Sequence, residues 1–145
     1  MDLAKRLGAE DGVSRPQKFA IYLPDRDADN QPVLNMGRWL DEAVTLMTEI
    51  NGGCTRLPSS RGAWLNKKTN KTIIEDTAVI YSYLFDPEMF EERFDEIVEF
   101  LYEYGRETNQ DSVMAEFSGW TSAHGDYVSE AYFIPSSVYM TDSMS

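Results

Sequence analysis

Cysteine and histidine are almost missing from this chain: Cys54 and His124 are the only ones. A lone cysteine excludes an intramolecular disulfide and fits a reducing compartment. One of each cannot build a zinc site without carboxylates. A nucleophile–base pair would need the turn around His124 to fold over the glycine turn before Cys54, and nothing in the sequence demands that. Basic charge is also scarce. The 13 Lys and Arg face 25 Asp and Glu, for a formal net charge of -12. That balance argues against direct nucleic-acid binding, which needs a basic surface, and against an anionic membrane. No stretch approaches the roughly 18 apolar residues that span a bilayer, and Met1 to Gln17 has no apolar signal core. The expectation is a cytoplasmic chain with one domain, since 145 residues supply one core. No cofactor and no metal are expected.

What charge there is lies unevenly. From Asp86 to Glu107 there are nine acids against Arg93 and Arg106. From Asn51 to Ile74 the reverse holds: Arg56, Arg61, Lys67, Lys68 and Lys71 stand without an acid. Separated fields of opposite sign steer encounter and choose partners.

Periodicity outlines the fold. Residues 1–17 read as a loose arm with one helical turn around Leu3 to Leu7. Lys18 to Leu23 is almost continuously apolar, as a strand buried on both faces would be. Met36, Trp39, Leu40, Ala43, Val44, Met47 and Ile50 form one helical stripe, with Asn35 as N-cap and Asn51-Gly52-Gly53 as its end. Cys54 to Leu57 and Ala63 to Asn66 suggest an interrupted strand. The Lys67 to Asn70 turn leads into a long strand over Thr72 to Phe85. Asp86 and Pro87 open a second helix, with Phe90, Phe94, Ile97, Val98, Leu101 and Tyr104 as its stripe and Gly105 as its stop. Val113 to Phe117 and Tyr127 to Ile134 alternate as strands, and Ser136 to Ser145 reads as a flexible tail. The order predicts an α+β domain over 18–135. Its antiparallel sheet is ferredoxin-like (βαββαβ), with both helices on one face and an extra C-terminal strand.

Gly52-Gly53-Cys54-Thr55, Gly62-Ala63-Trp64, Ile74-Glu75-Asp76-Thr77-Ala78-Val79 and Asn109-Gln110-Asp111-Ser112-Val113 together resemble a small bacterial family of unknown function. The resemblance covers about Phe19 to Phe117. It implies the same ferredoxin-like fold and no particular activity. Export, which it implies for many members, does not carry over to a chain without a signal. The strand and tail after Gly119 fall outside the pattern.

The basic hairpin is the first candidate site. Thr55, Arg56, Ser60 and Arg61 put guanidinium forks beside hydroxyls, groups that hold a phosphate or carboxylate, and Trp64 offers a flat surface for a ring. The segment is not a P-loop, because no Gly-Lys-Ser/Thr is present and no helix follows. Its bland counterpart is a solvated hairpin with a turn-forming glycine pair. Asp25 to Asn30 opens like a calcium loop but lacks the required Gly and the final Glu, so a polar connection is expected. Glu75 and Asp76 point to opposite faces of a strand, and one of them is expected to pair with Arg56 or Arg61 across the hairpin. The acidic helix face carries Glu88, Glu92, Glu96, Glu99 and Glu103, which is either a solvated surface or a mimic of spaced phosphates.

Three functions follow. The leading expectation is a non-enzymatic binding or regulatory protein that holds a small anionic ligand at Arg56, Arg61 and Trp64. The second is an acidic decoy or inhibitor, of viral or mobile-element type, that presents its Glu-rich helix to a basic protein. The third is an enzyme of the dimeric α+β barrel type, supported by fold analogy alone. Tyr81, Tyr83, Trp120, Tyr127 and Tyr132 are expected to line either a homodimer interface or an apolar pocket on the exposed sheet.

Overall fold

Lys18–Pro24 is apolar on both sides, and the computed structural model gives it a position where neither side meets much water. It forms β1, inside a six-stranded antiparallel sheet. The structure describes residues 2–9, 17–58, 60–120 and 126–136. Along the chain come α1 (Leu3–Leu7), β1 (Lys18–Pro24), α2 (Met36–Asn51), β2 (Thr55–Arg56) and β3 (Ser60–Asn66). They are followed by β4 (Lys71–Tyr83), α3 (Pro87–Glu92), α4 (Phe94–Glu107), β5 (Ser112–Trp120) and β6 (Tyr127–Pro135). β4 and β5 flank β1, β2 and β3 both pair with the other edge of β4, and β6 extends the sheet beyond β5. This is the expected α+β, ferredoxin-like sheet with one added strand. The rest of the N-terminal arm, the turn that holds His124, and the tail from residue 137 lie outside the described residues.

Alternation along the strands divides the sheet into two faces. Phe19, Ile21 and Leu23 of β1, Ile80 of β4, and Val113 and Ala115 of β5 pack under the helices in one cluster. α2 contributes Trp39, Leu40, Ala43, Met47 and Ile50, and α4 contributes Ile97, Phe100, Leu101 and Tyr104. The helical stripes of the sequence are therefore core. Asn35 stands at the N-cap of α2 in the left-handed region (φ 57), where its side chain makes no capping bond. At the other end Gly52 takes φ 84, and its N–H closes on the Thr48 carbonyl.

The expected second helix needs two corrections. It is two helices, α3 and α4, because Arg93 leaves helical geometry at φ -105 and ψ 12. The Arg93 guanidinium grips Glu96 at 2.7 and 3.0 Å instead. The apolar register runs through that break from Phe90 to Phe94, both of which touch Phe19, so the stripe conceals it. Nor is Gly105 a stop. The helix continues to Glu107, and the reversal comes from Asn109 at φ 55. Gly105 is buried, and a Cβ there would collide with Ser136 Oγ and lie 3.3 Å from Val113 Cγ2. It is small because β5 and the end of β6 pass close by. A third correction concerns the exposed aromatics. Tyr81, Tyr83, Trp120 and Tyr127 share the uncovered face, but Tyr132 falls on the helix side, beside Ile134 and Phe117.

Candidate functional site

The uncovered face carries a groove of about 830 Å³ at the end of the sheet where β1 finishes and β5 begins. Its floor comes from alternate residues: Tyr22 on β1, Glu75, Thr77 and Val79 on β4, Met114 on β5 and Phe133 on β6. Ser60, Gly62 and Trp64 of β3 close one side, and Gln110, Asp111 and Ser112 border another.

Register explains why Glu75 and Trp64 meet. Gly62 pairs with Glu75 and Trp64 with Ile73, so all four lie on one face. The Trp64 indole Nε1 donates to Glu75 Oε2 at 3.2 Å. Half-burial is the main cause that lifts the Glu75 carboxyl above the ordinary carboxylate range. The Trp64 hydrogen bond opposes that rise, and the nearby charge of Asp25 adds to it. The carboxyl is half-buried and held by one neutral donor, in a groove that Arg61 and Lys67 also border.

The surrounding loops are tied down. Asp25 Oδ1 accepts the Asp76 N–H at 3.0 Å, which joins the end of β1 to β4 beside Glu75. The fully buried Tyr104 of α4 donates its hydroxyl to the Pro24 carbonyl at 2.5 Å, with its phenol pushed far above normal by burial. Gln110 Nε2 donates to the Arg26 carbonyl and Asn109 Nδ2 to Asp29 Oδ2, at 3.0 and 2.9 Å. The loop that opens like a calcium site uses Asp27 Oδ1 to accept the N–H groups of Asp29 and Gln31. Among the described residues no group of three or more His, Cys, Asp or Glu could hold a metal ion. Tyr22 donates to Glu116 Oε1 at 3.1 Å, and burial, with Glu116 second, raises its pKa.

The residues expected at the site separate into two groups. Ser60, Arg61 and Trp64 border the groove, whereas Thr55 and Arg56 lie on β2, exposed and outside it. Arg61 Nε pairs with Asp76 Oδ1 at 3.4 Å, on the opposite side of the hairpin from Glu75. The expected ion pair across the hairpin thus forms with Asp76, and Glu75 is the carboxylate left facing the groove. Cys54 is half-buried, its thiol against Thr48 and the Val44 carbonyl. Glu88, Glu92, Glu96 and Glu99 are exposed and Glu103 half-buried, divided between α3 and α4. A second cavity, about 500 Å³ between α3, α4 and the sheet, is lined by Phe19, Phe90, Phe94 and other apolar groups, with Glu91 as its one charged neighbour. It offers much less chemistry than the groove at Glu75.

No family model and no curated protein matches the chain. Solved structures do. A phage SAM lyase in complex with S-methyl-5'-thioadenosine superposes with a TM-score of 0.58 at 15% identity, covering 87% of this chain and 94% of that one. A phage SAM lyase in the apo state gives 0.60 at 13% identity with the same coverage. The chain shares the fold of phage SAM lyase. At such identity the likeness establishes fold, and it corrects the leading functional expectation. The structures that match almost from end to end are of an enzyme, so the non-enzymatic binding reading gives way to the enzyme alternative. The decoy reading gains nothing from either match. Among the described residues no helix is long and apolar enough to cross a membrane.

Proposed function

We propose that this chain is an enzyme that cleaves S-adenosylmethionine (SAM), with the sulfonium centre seated at Glu75 and Trp64. The observation that carries this reading is the half-buried Glu75 carboxylate, fixed by the Trp64 indole at 3.2 Å inside the groove. A sulfonium cation satisfies that carboxylate, and an aromatic ring attracts the same charge through its π system. The shared fold with an enzyme that acts on SAM supports the assignment from a separate direction.

The chemistry balances within the substrate. Release of S-methyl-5'-thioadenosine breaks the bond between sulfur and the aminocarboxypropyl chain, and its electron pair goes to sulfur. The carbon is refilled by the substrate's own carboxylate oxygen, which closes a five-membered lactone. Positive charge on sulfur and negative charge on the carboxylate disappear together. A partly dry groove favours such a step, because it solvates the charged start less well than water does. The protein must seat the cation, fold the chain back and keep water out. Glu75, Trp64 and the groove walls are suited to those tasks.

The test is to incubate the purified protein with SAM and measure S-methyl-5'-thioadenosine chromatographically against a buffer control. The expected result is enzyme-dependent accumulation, with Glu75→Gln lowering kcat/KM by about 100-fold or more, the scale of losing one preorganised electrostatic contact. Wild-type protein that forms no S-methyl-5'-thioadenosine above the control would overturn the assignment.

A further inference from the structure

Gln110 is anchored at every hydrogen-bonding group but one. Asn109, at φ 55, turns the chain out of α4. The Gln110 N–H then donates to the Gly105 carbonyl at 2.8 Å, its carbonyl accepts from Ser136 Oγ at 2.7 Å, and its Nε2 donates to the Arg26 carbonyl at 3.0 Å. Its Oε1 is the acceptor left over, and among the described residues no donor reaches it. The residue is 9% exposed and borders the groove that holds Glu75. Among the described residues Asn51 Oδ1 is the one fully enclosed side-chain oxygen or nitrogen without a partner. Gln110 Oε1 is therefore not sealed, and the groove is where the residue opens. Buried amide oxygens normally have their donors supplied by the protein, so a fixed and unfilled one on a groove wall is a place for a donor on a ligand.

The ladder sets its position relative to Glu75. Pro24 pairs with Thr77, and the Asp25 N–H continues that pairing to the Asp76 carbonyl at 2.9 Å, which brings Arg26 level with Glu75. Gln110 holds the other side of Arg26, toward β5. Two strand spacings separate Glu75 from Gln110, roughly 10 Å between Cα atoms, and the Gln110 amide leans inward to Arg26. The tip of the β3 hairpin is tied to the same place. Asn66 Nδ2 donates to the Ala28 carbonyl at 3.4 Å, and the Ala28 N–H donates to the Asn109 carbonyl at 2.9 Å. Lys67 and Gln110, each next in sequence to one of those residues, thus border one end of the groove.

We propose that this end is the subsite for the amino-acid part of SAM, with Gln110 Oε1 accepting a hydrogen bond from the α-ammonium group and Lys67 beside the carboxylate. This rests on the SAM reading above. It goes further in naming the residues that recognise the part of the substrate on the far side of sulfur from the nucleoside. The lengths agree. Three carbons separate the sulfur from the amino nitrogen; with an ion contact of about 4 Å at Glu75 and a hydrogen bond of about 2.9 Å at Gln110, the ligand covers that span. Asp111 borders the same end and adds negative charge that favours an ammonium group. Holding the amino group fixes the rotation that returns the carboxylate oxygen to the carbon on sulfur, which is the approach that lactone closure needs.

The experiment measures kcat/KM for SAM, and calorimetric affinity for S-methyl-5'-thioadenosine, in wild type, Gln110→Met and Gln110→Glu. Both variants lose the amide that donates to the Arg26 carbonyl, but only Met loses the acceptor. Gln110→Met should lower kcat/KM for SAM roughly 10- to 100-fold, the scale of one hydrogen bond to a charged group. Its affinity for S-methyl-5'-thioadenosine, which has no amino-acid end, should stay within about twofold. Gln110→Glu should recover most of the loss on SAM. Equal losses in both variants would make Gln110 a support for the loop and overturn the subsite. So would a matching loss of S-methyl-5'-thioadenosine affinity, which would place the residue against the adenine amine. If Gln110→Met fails to fold, wild type decides with a sulfonium analogue that has hydrogen in place of the α-amino group. That analogue can still close a lactone, and it should turn over about 10- to 100-fold less efficiently than SAM. Equal turnover of the two, or unchanged SAM kinetics in folded Gln110→Met, would overturn the subsite while the lyase reading stands. Wild-type protein that forms no S-methyl-5'-thioadenosine from SAM would remove both.

Discussion

Two rows of side chains lie next to each other on this sheet, one residue apart in sequence and on opposite faces. Ile80, Ile21 and Ala115 stand in register under the helices, and Val79, Tyr22 and Met114 stand in register on the uncovered side. The first row is sealed: Ile80 has no exposed surface and Ile21 only 1%. The second row keeps polar atoms, a hydroxyl in Tyr22 and the neighbouring carboxylates Glu75 and Glu116, and it floors a groove. The same strands therefore serve both purposes, and the two-residue period keeps them apart. Stability is concentrated on one face. Chemistry has room on the other because that face is not needed to hold the fold together.

The largest expected effect breaks the covered row. Ile21→Ala deletes buried methylenes in a site already filled by neighbours on both flanking strands. It should cost about 2–5 kcal/mol of unfolding free energy. Tyr22→Phe, one residue along, removes only the hydrogen bond to Glu116 and should cost about 1 kcal/mol. Urea denaturation of the two variants measures the ratio directly. Equal losses would mean that the uncovered face is as tightly built as the core and that the two faces do not divide stability between them.

The covered face was legible in the sequence because burial leaves a period. Stripes at helical spacing on Met36 to Ile50 and Phe90 to Tyr104 marked the residues that the structure buries, and the continuous apolar run of β1 marked its inner position. The site was harder to see. Glu75 and Asp76 are adjacent carboxylates of equal standing in a sequence, and only register tells which faces the groove. Counting outward from the Lys67 to Asn70 turn gives the pairs Asn66–Lys71 and Gly62–Glu75, so Glu75 shares a face with Trp64. The sequence contained that signal, but it stays silent until the hairpin's turn is placed. Composition misled as well. The basic hairpin drew attention to Arg56 and Arg61, yet Arg56 lies outside the groove and Arg61 borders it while pairing with Asp76, so Gly62 and Trp64 are the hairpin residues that share a face with Glu75. The break at Arg93 left no trace because it preserves the apolar period.

A smaller effect sharpens the same contrast at Gly105, where the covered face is most tightly closed. If Gly105 were only a helix residue, Gly105→Ala would stabilise the protein by about 1 kcal/mol through backbone propensity. The new methyl meets Ser136 Oγ, which donates to the Gln110 carbonyl at 2.7 Å, and it presses on Val113 Cγ2. The expected sign is therefore reversed, a loss of roughly 1–3 kcal/mol from overpacking. Adding Ser136→Ala should recover part of it, because the closest obstructing atom is gone. Thermal melts of the single and double variants check the sign, and a stabilised Gly105→Ala would show that β6 closes less firmly over α4 than the structure has it.

The smallest effect concerns Glu75 itself, and its sign is the informative part. Half-burial raises its carboxyl pKa in the folded protein, with Asp25 adding to the rise and Trp64 opposing it. Below the unfolded-state value, about 4.3, the group is protonated in both states and makes no difference to stability. As pH climbs through the raised folded value, the unfolded chain gives up its proton more readily, so stability falls. Glu75→Gln should accordingly match wild type near pH 4 and be more stable at pH 7.5, by under about 1 kcal/mol because the site is half open to solvent. Activity should run the other way through the same window, rising with pH as the ionised form becomes able to hold a cation, and the Gln variant should lack that limb. Urea titrations at the two pH values test the first half, and a pH profile of S-methyl-5'-thioadenosine formation tests the second. A Gln variant less stable than wild type at pH 7.5 would mean that its neighbours hold the carboxylate comfortably. Glu75 would then belong to the scaffold, and the uncovered face would lose the poorly solvated carboxyl on which the proposed chemistry depends.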